Sequence, residues 1–130
     1  MTTELFYLAL TAMLTASLWI PYIVCQVITN GPLQKGNFKD PTPRPVPLWG
    51  IRANRVHLNA VESLAPFAIL ILIAHIVNKD SSMTAFWAGF FFWMRITHAT
   101  VYWLAIPYIR TLVFTAGYVA VIGIFWELIK

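Results

Sequence analysis

Six polar side chains recur at steps of three or four residues in two separate segments of the chain: Arg55, Asn59 and Glu62 in the first, and Arg95, His98 and Tyr102 in the second. A helix brings residues at these steps onto one face, so each segment is expected to present a polar face to a neighbouring helix. Guanidinium groups bind carboxylates and phosphates through paired hydrogen bonds. The arginines therefore favour an anionic ligand held between helices.

The composition indicates that these helices lie in a membrane. Apolar residues make up 59% of the 130 residues and charged residues only 11%, whereas soluble domains carry roughly 25% charged residues. A chain of this length has too little interior to cover so much apolar surface. The single Cys25 excludes a disulfide scaffold. A net charge of +4 without a basic stripe excludes a nucleic-acid-binding surface.

Four apolar stretches are long enough to cross a bilayer, which needs roughly 20 residues per helix. They span residues 5–29, 50–77, 83–105 and 107–129. The one substantial loop covers residues 30–49, and its alternating prolines forbid a helix over residues 41–47. We therefore expect an all-α membrane protein in which residues 1–130 form a single domain, a bundle of four transmembrane helices.

The distribution of Lys and Arg predicts the orientation of this bundle, because cytoplasmic loops carry an excess of both. Most basic residues lie in the long loop or at the helix ends beside it: Lys35, Lys39, Arg44, Arg52, Arg55 and Arg110. The opposite ends carry only Lys79 and Lys130. We expect the loop to face the cytoplasm and both termini to lie on the other side of the membrane.

The depth of the polar residues predicts how they interact. A rise of about 1.5 Å per residue places Glu62 about 18 Å and Arg95 about 15 Å from the cytoplasmic ends of their helices. Because a charge in mid-membrane costs about 2.5–3.5 kcal/mol, we expect these two side chains to form an ion pair. Two shallower layers follow towards the cytoplasm: Asn59 with His98, then Arg55, Tyr102 and Arg110. The shallowest layer has no carboxylate, so it favours either a lipid headgroup or a small anionic substrate.

Both polar segments resemble those of a known family. Residues 52–67, which read RANRVHLNAVESLAPF, resemble the signature of the MAPEG family, the membrane-associated proteins in eicosanoid and glutathione metabolism. Residues 95–102 (RITHATVY) and 107–111 (PYIRT) resemble the family's third-to-fourth helix segment. With four apolar stretches in the matching order, the resemblance covers nearly the whole chain.

The resemblance implies a homotrimer of four-helix protomers that binds glutathione between subunits, towards the cytoplasmic side. The positions that match the family's glutathione site are Arg55, Asn59, Glu62, Arg95 and Tyr102, with His98 in the matching stretch. Arg110 matches the arginine that stabilises the glutathione thiolate. That role is chemically reasonable, because a thiol with a pKa of about 8.5 becomes a good nucleophile when a nearby cation favours its thiolate.

The resemblance thus implies a glutathione-dependent transferase or peroxidase, similar to microsomal glutathione transferases, that acts on lipophilic electrophiles from the membrane. No metal site is expected. One departure concerns Phe114, which stands where some enzymatic members carry a tyrosine. The alternative is a non-catalytic glutathione- or lipid-binding regulatory protein of the same fold. A third hypothesis, a proton-coupled exporter, requires an unpaired Glu62 that titrates in the membrane.

Overall fold

The structure is a computed structural model that describes residues 1–130, and its regular secondary structure consists of helices without strands. In chain order these are Thr3–Ser17 (α1), Ile20–Asn30 (α2), Lys35–Lys39 (α3), Leu48–Ile76 (α4), Ser82–Trp103 (α5) and Ile109–Ile129 (α6). The predicted all-α class is confirmed. The short α3 lies inside the predicted loop, ahead of the prolines, which are not helical.

Three helical stretches are long and apolar enough to cross a membrane: Thr3–Asn30, α4 and α6. α5 has 22 residues, a length of about 33 Å, but its tryptophans, threonines, histidine and arginine make it less apolar than the other three. Much of the outer surface is formed by large apolar side chains, including Ile28 and Ile76, which are 73% and 74% exposed. Such a surface suits a hydrocarbon environment rather than water.

The predicted first span is divided into two helices at Pro21. Proline has no backbone N–H and its ring clashes with the carbonyl four residues earlier, so α1 ends at Ser17 and α2 begins at Ile20. By contrast, Pro66 lies inside the continuous helix α4. The last helix begins at Ile109, two residues later than predicted, because Tyr108 has a positive φ of 64° that no helix accepts.

Polar contacts join both ends of α5 to neighbouring helices. At one end, the buried Glu4 of α1 accepts hydrogen bonds from Ser81 N (3.3 Å) and from Thr84 Oγ1 (2.6 Å) at the start of α5. At the other end, Arg52 Nε of α4 donates to the carbonyl of Trp103, the last residue of α5 (3.3 Å). The first contact joins α1 to α5, which run parallel, and the second joins α4 to α5, which run antiparallel.

The core lies where α4, α5 and α6 meet. Phe67 of α4 stacks on Phe91 of α5, with 4.0 Å between the ring centroids, and Ile124 of α6 is buried in the same cluster. Small residues allow close approach between helices, as expected in a membrane. Gly123 of α6 lies directly against the ring of Trp87, so that no larger residue fits there without moving the indole.

Candidate functional site between helices four, five and six

The three longest helices enclose a pocket of about 210 Å³, which we call the α4–α6 pocket. Ten residues line it: Asn59, Glu62, Ser63, Pro66, Phe91, Arg95, Phe114, Gly117, Tyr118 and Val121. The α4 residues Asn59, Glu62 and Pro66 share one helical face, as the spacing predicted. The pocket therefore combines polar side chains from α4 and the guanidinium of Arg95 from α5 with apolar residues from all three helices.

Arg95 is the buried cation of this pocket, with only 4% of its surface exposed. Its Nη1 donates a hydrogen bond to Ser63 Oγ at 3.0 Å, and its Cζ lies 5.5 Å from the ring centroids of both Phe91 and Phe114. Its Nη2 lies against the backbone of Gly117. Its Nε is buried and has no hydrogen-bond partner. Arg95 thus has donors that the chain itself leaves unused.

A second, shallower pocket of about 210 Å³ adjoins the first, and we call it the Arg110 pocket. It is lined by six residues: Asn59, His98, Tyr102, Arg110, Thr111 and Phe114. The Arg110 guanidinium lies over the ring of Tyr102, with Cζ 4.8 Å from the centroid. The ring of His98, whose side chain is buried, lies 5.6 Å from that of Tyr102. Asn59 and Phe114 line both pockets and so stand at their junction.

The MAPEG family model matches residues 5–130, essentially the whole chain. The chain belongs to the MAPEG family. The resemblance inferred from its two polar segments is therefore confirmed, and the chain is a membrane protein of the glutathione and eicosanoid metabolism group. No curated protein and no solved structure gives a significant match.

The expected ion pair between Glu62 and Arg95 is absent from this MAPEG chain. The only salt bridges join His75 to Asp80 and Lys130 to Glu127. Glu62 and Arg95 do line the same pocket, as their matched depths predicted, but Glu62 is exposed while Arg95 turns towards Ser63. The absence of this pair leaves Glu62 unpaired, as an exporter would require, but membership of the MAPEG family favours glutathione or eicosanoid metabolism over export.

The structure brings six of the seven predicted site residues of the MAPEG chain into the two adjoining pockets: Asn59, Glu62, Arg95, His98, Tyr102 and Arg110. Arg55 is the exception. It lies one turn before Asn59 on α4, it is exposed, and it lines neither pocket. Within a single chain, Arg55, Glu62 and Arg110 are all exposed and none is in a salt bridge.

Ser63, Gly117 and Tyr118 also line the site of this MAPEG chain and were not predicted. Ser63 directly follows Glu62, so it lies on a different helical face from the predicted polar residues of α4. The α6 residues are indicated by their spacing, because positions 110, 114, 117 and 121, and equally 110, 114, 118 and 121, follow the same steps of three or four residues as the polar face of α4. Because most of these residues are apolar or small, the pattern did not stand out within an apolar helix.

Proposed function

We propose that the chain is a glutathione-dependent transferase or peroxidase of the membrane, which activates the glutathione thiolate for attack on lipophilic electrophiles. One observation carries the proposal: two arginines, Arg95 and Arg110, face adjoining pockets, and neither is paired with a carboxylate of the chain. A buried cation without a partner is costly, so its retention beside an open pocket favours an anionic guest.

Glutathione fits the chemistry of these pockets. It carries two carboxylates, and an arginine fork binds each of them best through two parallel hydrogen bonds. Arg95 has unused donors, including the buried Nε. Asn59, at the junction of the pockets, offers both a donor and an acceptor for peptide groups. In this proposal Arg95, Asn59, Glu62, His98 and Tyr102 hold the peptide.

Arg110 is the proposed catalytic residue, because its charge lowers the free energy of the thiolate relative to the thiol. The thiol proton passes to solvent, and the thiolate sulfur forms a bond to the electrophilic carbon. The leaving group departs with the electron pair of the broken bond. Stacking over Tyr102 directs the Arg110 guanidinium towards the pocket without neutralising it.

We further propose that α5 is the fourth span and that three copies assemble, with Arg55 and Glu62 lying between subunits. In a single chain both of these charges are exposed on α4, an apolar helix long enough to cross the membrane. For Glu62, lipid contact at mid-membrane costs about 2.5–3.5 kcal/mol, a cost that a partner subunit removes. Arg55 lies nearer the cytoplasmic end of the same helix. The same arrangement would bring Arg55 to a site that it does not reach within its own chain.

The proposed orientation places the loop after α2 and the start of α4 in the cytoplasm, with both termini on the other side. The basic residues at the loop end of the bundle support it. The lipophilic substrate is proposed to enter through the opening of the α4–α6 pocket and to lie against its apolar lining residues, which include Pro66, Phe91 and Val121.

Calorimetry of the purified protein with glutathione tests binding, and conjugation of chlorodinitrobenzene tests catalysis. Arg110→Ala should lower the conjugation rate by about tenfold or more, while Arg110→Lys should retain part of it because the charge remains. Lys35→Ala is the matched control, since Lys35 is an exposed cation of the long loop that lines neither pocket. An Arg110→Ala protein that conjugates as fast as the parent refutes the thiolate role.

The regulatory alternative is favoured by one observation, the apolar ring of Phe114 at the junction of the two pockets, where a tyrosine would supply a hydroxyl. Ultraviolet absorbance separates the two functions. An enzyme that activates glutathione should produce thiolate absorbance at about 240 nm when the peptide is added. Glutathione binding measured by calorimetry, without that absorbance and without conjugation, would establish the regulatory function instead.

A further inference from the structure

A second polar recess lies away from the three helices of the candidate site. It has a volume of about 240 Å³ and lies between α2 and the proline-rich loop, and we call it the loop pocket. It shares no residue with the α4–α6 pocket or the Arg110 pocket. Because α2 ends at Asn30, where an apolar span gives way to a polar loop, the pocket lies at the level expected for lipid headgroups.

Hydrogen bonds fix the loop against α2 and so form the pocket without a ligand. Arg44 Nη1 donates to the carbonyls of Asn30 (3.2 Å) and Gly31 (3.0 Å), which satisfies the C-terminal end of α2. In return, Asn30 Nδ2 donates to the carbonyl of Pro45 at 2.9 Å. The buried Gln26 donates to the hydroxyl of Tyr22 at 2.8 Å. A preformed site loses little conformational entropy when a ligand binds.

The loop pocket contains one cation and one anion. Arg44 uses only Nη1 in hydrogen bonds within the chain, so Nη2 and Nε remain available to a phosphate. Asp40 accepts a hydrogen bond from Thr42 N on Oδ1 at 3.0 Å and is otherwise exposed. A headgroup that carries both a phosphate and an ammonium group matches this pair of charges.

Apolar side chains continue the pocket towards the membrane. Ile23 and Val27 of α2 are 43% and 49% exposed, and Leu33 of the loop is 59% exposed. Ile23 and Val27 lie one turn apart, so they form a short apolar stripe along the helix below the two charges. An acyl chain lying on this stripe would bury these side chains while its headgroup reached Asp40 and Arg44.

We propose that the loop pocket binds a phospholipid whose headgroup is zwitterionic and carries a primary amine, as in phosphatidylethanolamine. The phosphate contacts Arg44 and the ammonium group contacts Asp40. A primary ammonium donates hydrogen bonds to a carboxylate, whereas the quaternary ammonium of phosphatidylcholine has none to donate. A glycerol headgroup lacks the positive charge. The pocket therefore prefers phosphatidylethanolamine over both.

Native mass spectrometry of the full-length protein in detergent tests this preference, with an equimolar mixture of dioleoyl phosphatidylethanolamine, phosphatidylcholine and phosphatidylglycerol as the probe. The parent should carry phosphatidylethanolamine in preference to each of the other two by about threefold or more. Asp40→Asn should abolish the preference over phosphatidylcholine. Asparagine keeps the acceptor for Thr42 N and removes only the charge, so the loop should remain folded.

Glu127→Gln is the matched control, because it removes one negative charge at the opposite end of the bundle, where Glu127 pairs with Lys130. It should retain the preference of the parent. Equal binding of the three lipids by the parent overturns the proposal, and so does an Asp40→Asn protein that keeps the preference. Neither result bears on glutathione binding, which involves other residues.

Discussion

Replacing Gly117 with alanine tests whether the position of Arg95 matters for the ligand. A Cβ on Gly117 would lie 2.9 Å from Arg95 Nη2, whereas ordinary contacts begin at 3.4 Å. The guanidinium must therefore move by about 0.5 Å, which disturbs the 3.0 Å hydrogen bond that its Nη1 donates to Ser63 Oγ. The substitution thus displaces the buried cation without removing it.

The effect on stability should be small because two contributions oppose each other. Alanine in a helix interior is favoured over glycine by about 1 kcal/mol. A hydrogen bond to a charged group contributes about 1.5–3 kcal/mol to stability, and weakening it removes part of that contribution. The free energy of unfolding in detergent should therefore change by less than about 2 kcal/mol. Glutathione affinity, however, should fall by about tenfold, because an arginine fork holds a carboxylate only in a narrow geometry.

Calorimetric titration with glutathione and thermal unfolding in the same detergent measure the two effects separately. Gly36→Ala is one control, since nothing lies within 4 Å of its added Cβ. Gly123→Ala is the second, because its Cβ meets the rigid ring of Trp87 rather than the end of a flexible side chain. It should destabilise the protein by about 1–3 kcal/mol and leave affinity unchanged. A Gly117→Ala protein that is stable and binds glutathione like the parent refutes a contact between Arg95 and the ligand.

Three further predictions concern single contacts. Glu4→Ala should lower the free energy of unfolding by about 1–3 kcal/mol, because it removes the carboxylate that accepts hydrogen bonds from the start of α5. Glu4→Gln should recover most of this loss, and a denaturation assay in detergent measures both variants. Ser63→Ala removes the one side-chain hydrogen bond of Arg95, so glutathione affinity measured by calorimetry should fall by about threefold to tenfold. An unchanged affinity would contradict the role of Ser63 in positioning Arg95 for the ligand. Hydrogen bonds from Thr42 lower the pKa of Asp40, so its charge is lost only as the pH falls through that depressed value. The lipid preference measured by mass spectrometry should therefore persist from about pH 7 to about pH 5, and its loss in that range would exclude Asp40 as the group responsible.

The amino-acid pattern by itself determined that the chain is all-helical and which polar residues share a helical face. Apolar runs of about 20 residues have few alternatives to a helix in a bilayer, because a helix satisfies every backbone hydrogen bond within one segment. The helical period then placed Asn59 and Glu62 on one face of α4, and the rise per residue placed Glu62 and Arg95 at the same level. The distinctive spacing of arginine, histidine, asparagine and glutamate also identified the family, which the match over residues 5–130 confirmed.

Only the tertiary structure decided which of these side chains meet. Spacing gives the height of a residue and its face, but not the rotation of one helix against another. Arg95 therefore contacts Ser63 and two aromatic rings instead of pairing with Glu62. The contribution of Gly117 was equally hidden, because a glycine in an apolar helix reveals its role only when the neighbour that occupies its space is known. Packing between helices, which depends on the shapes of all their side chains together, sets those contacts.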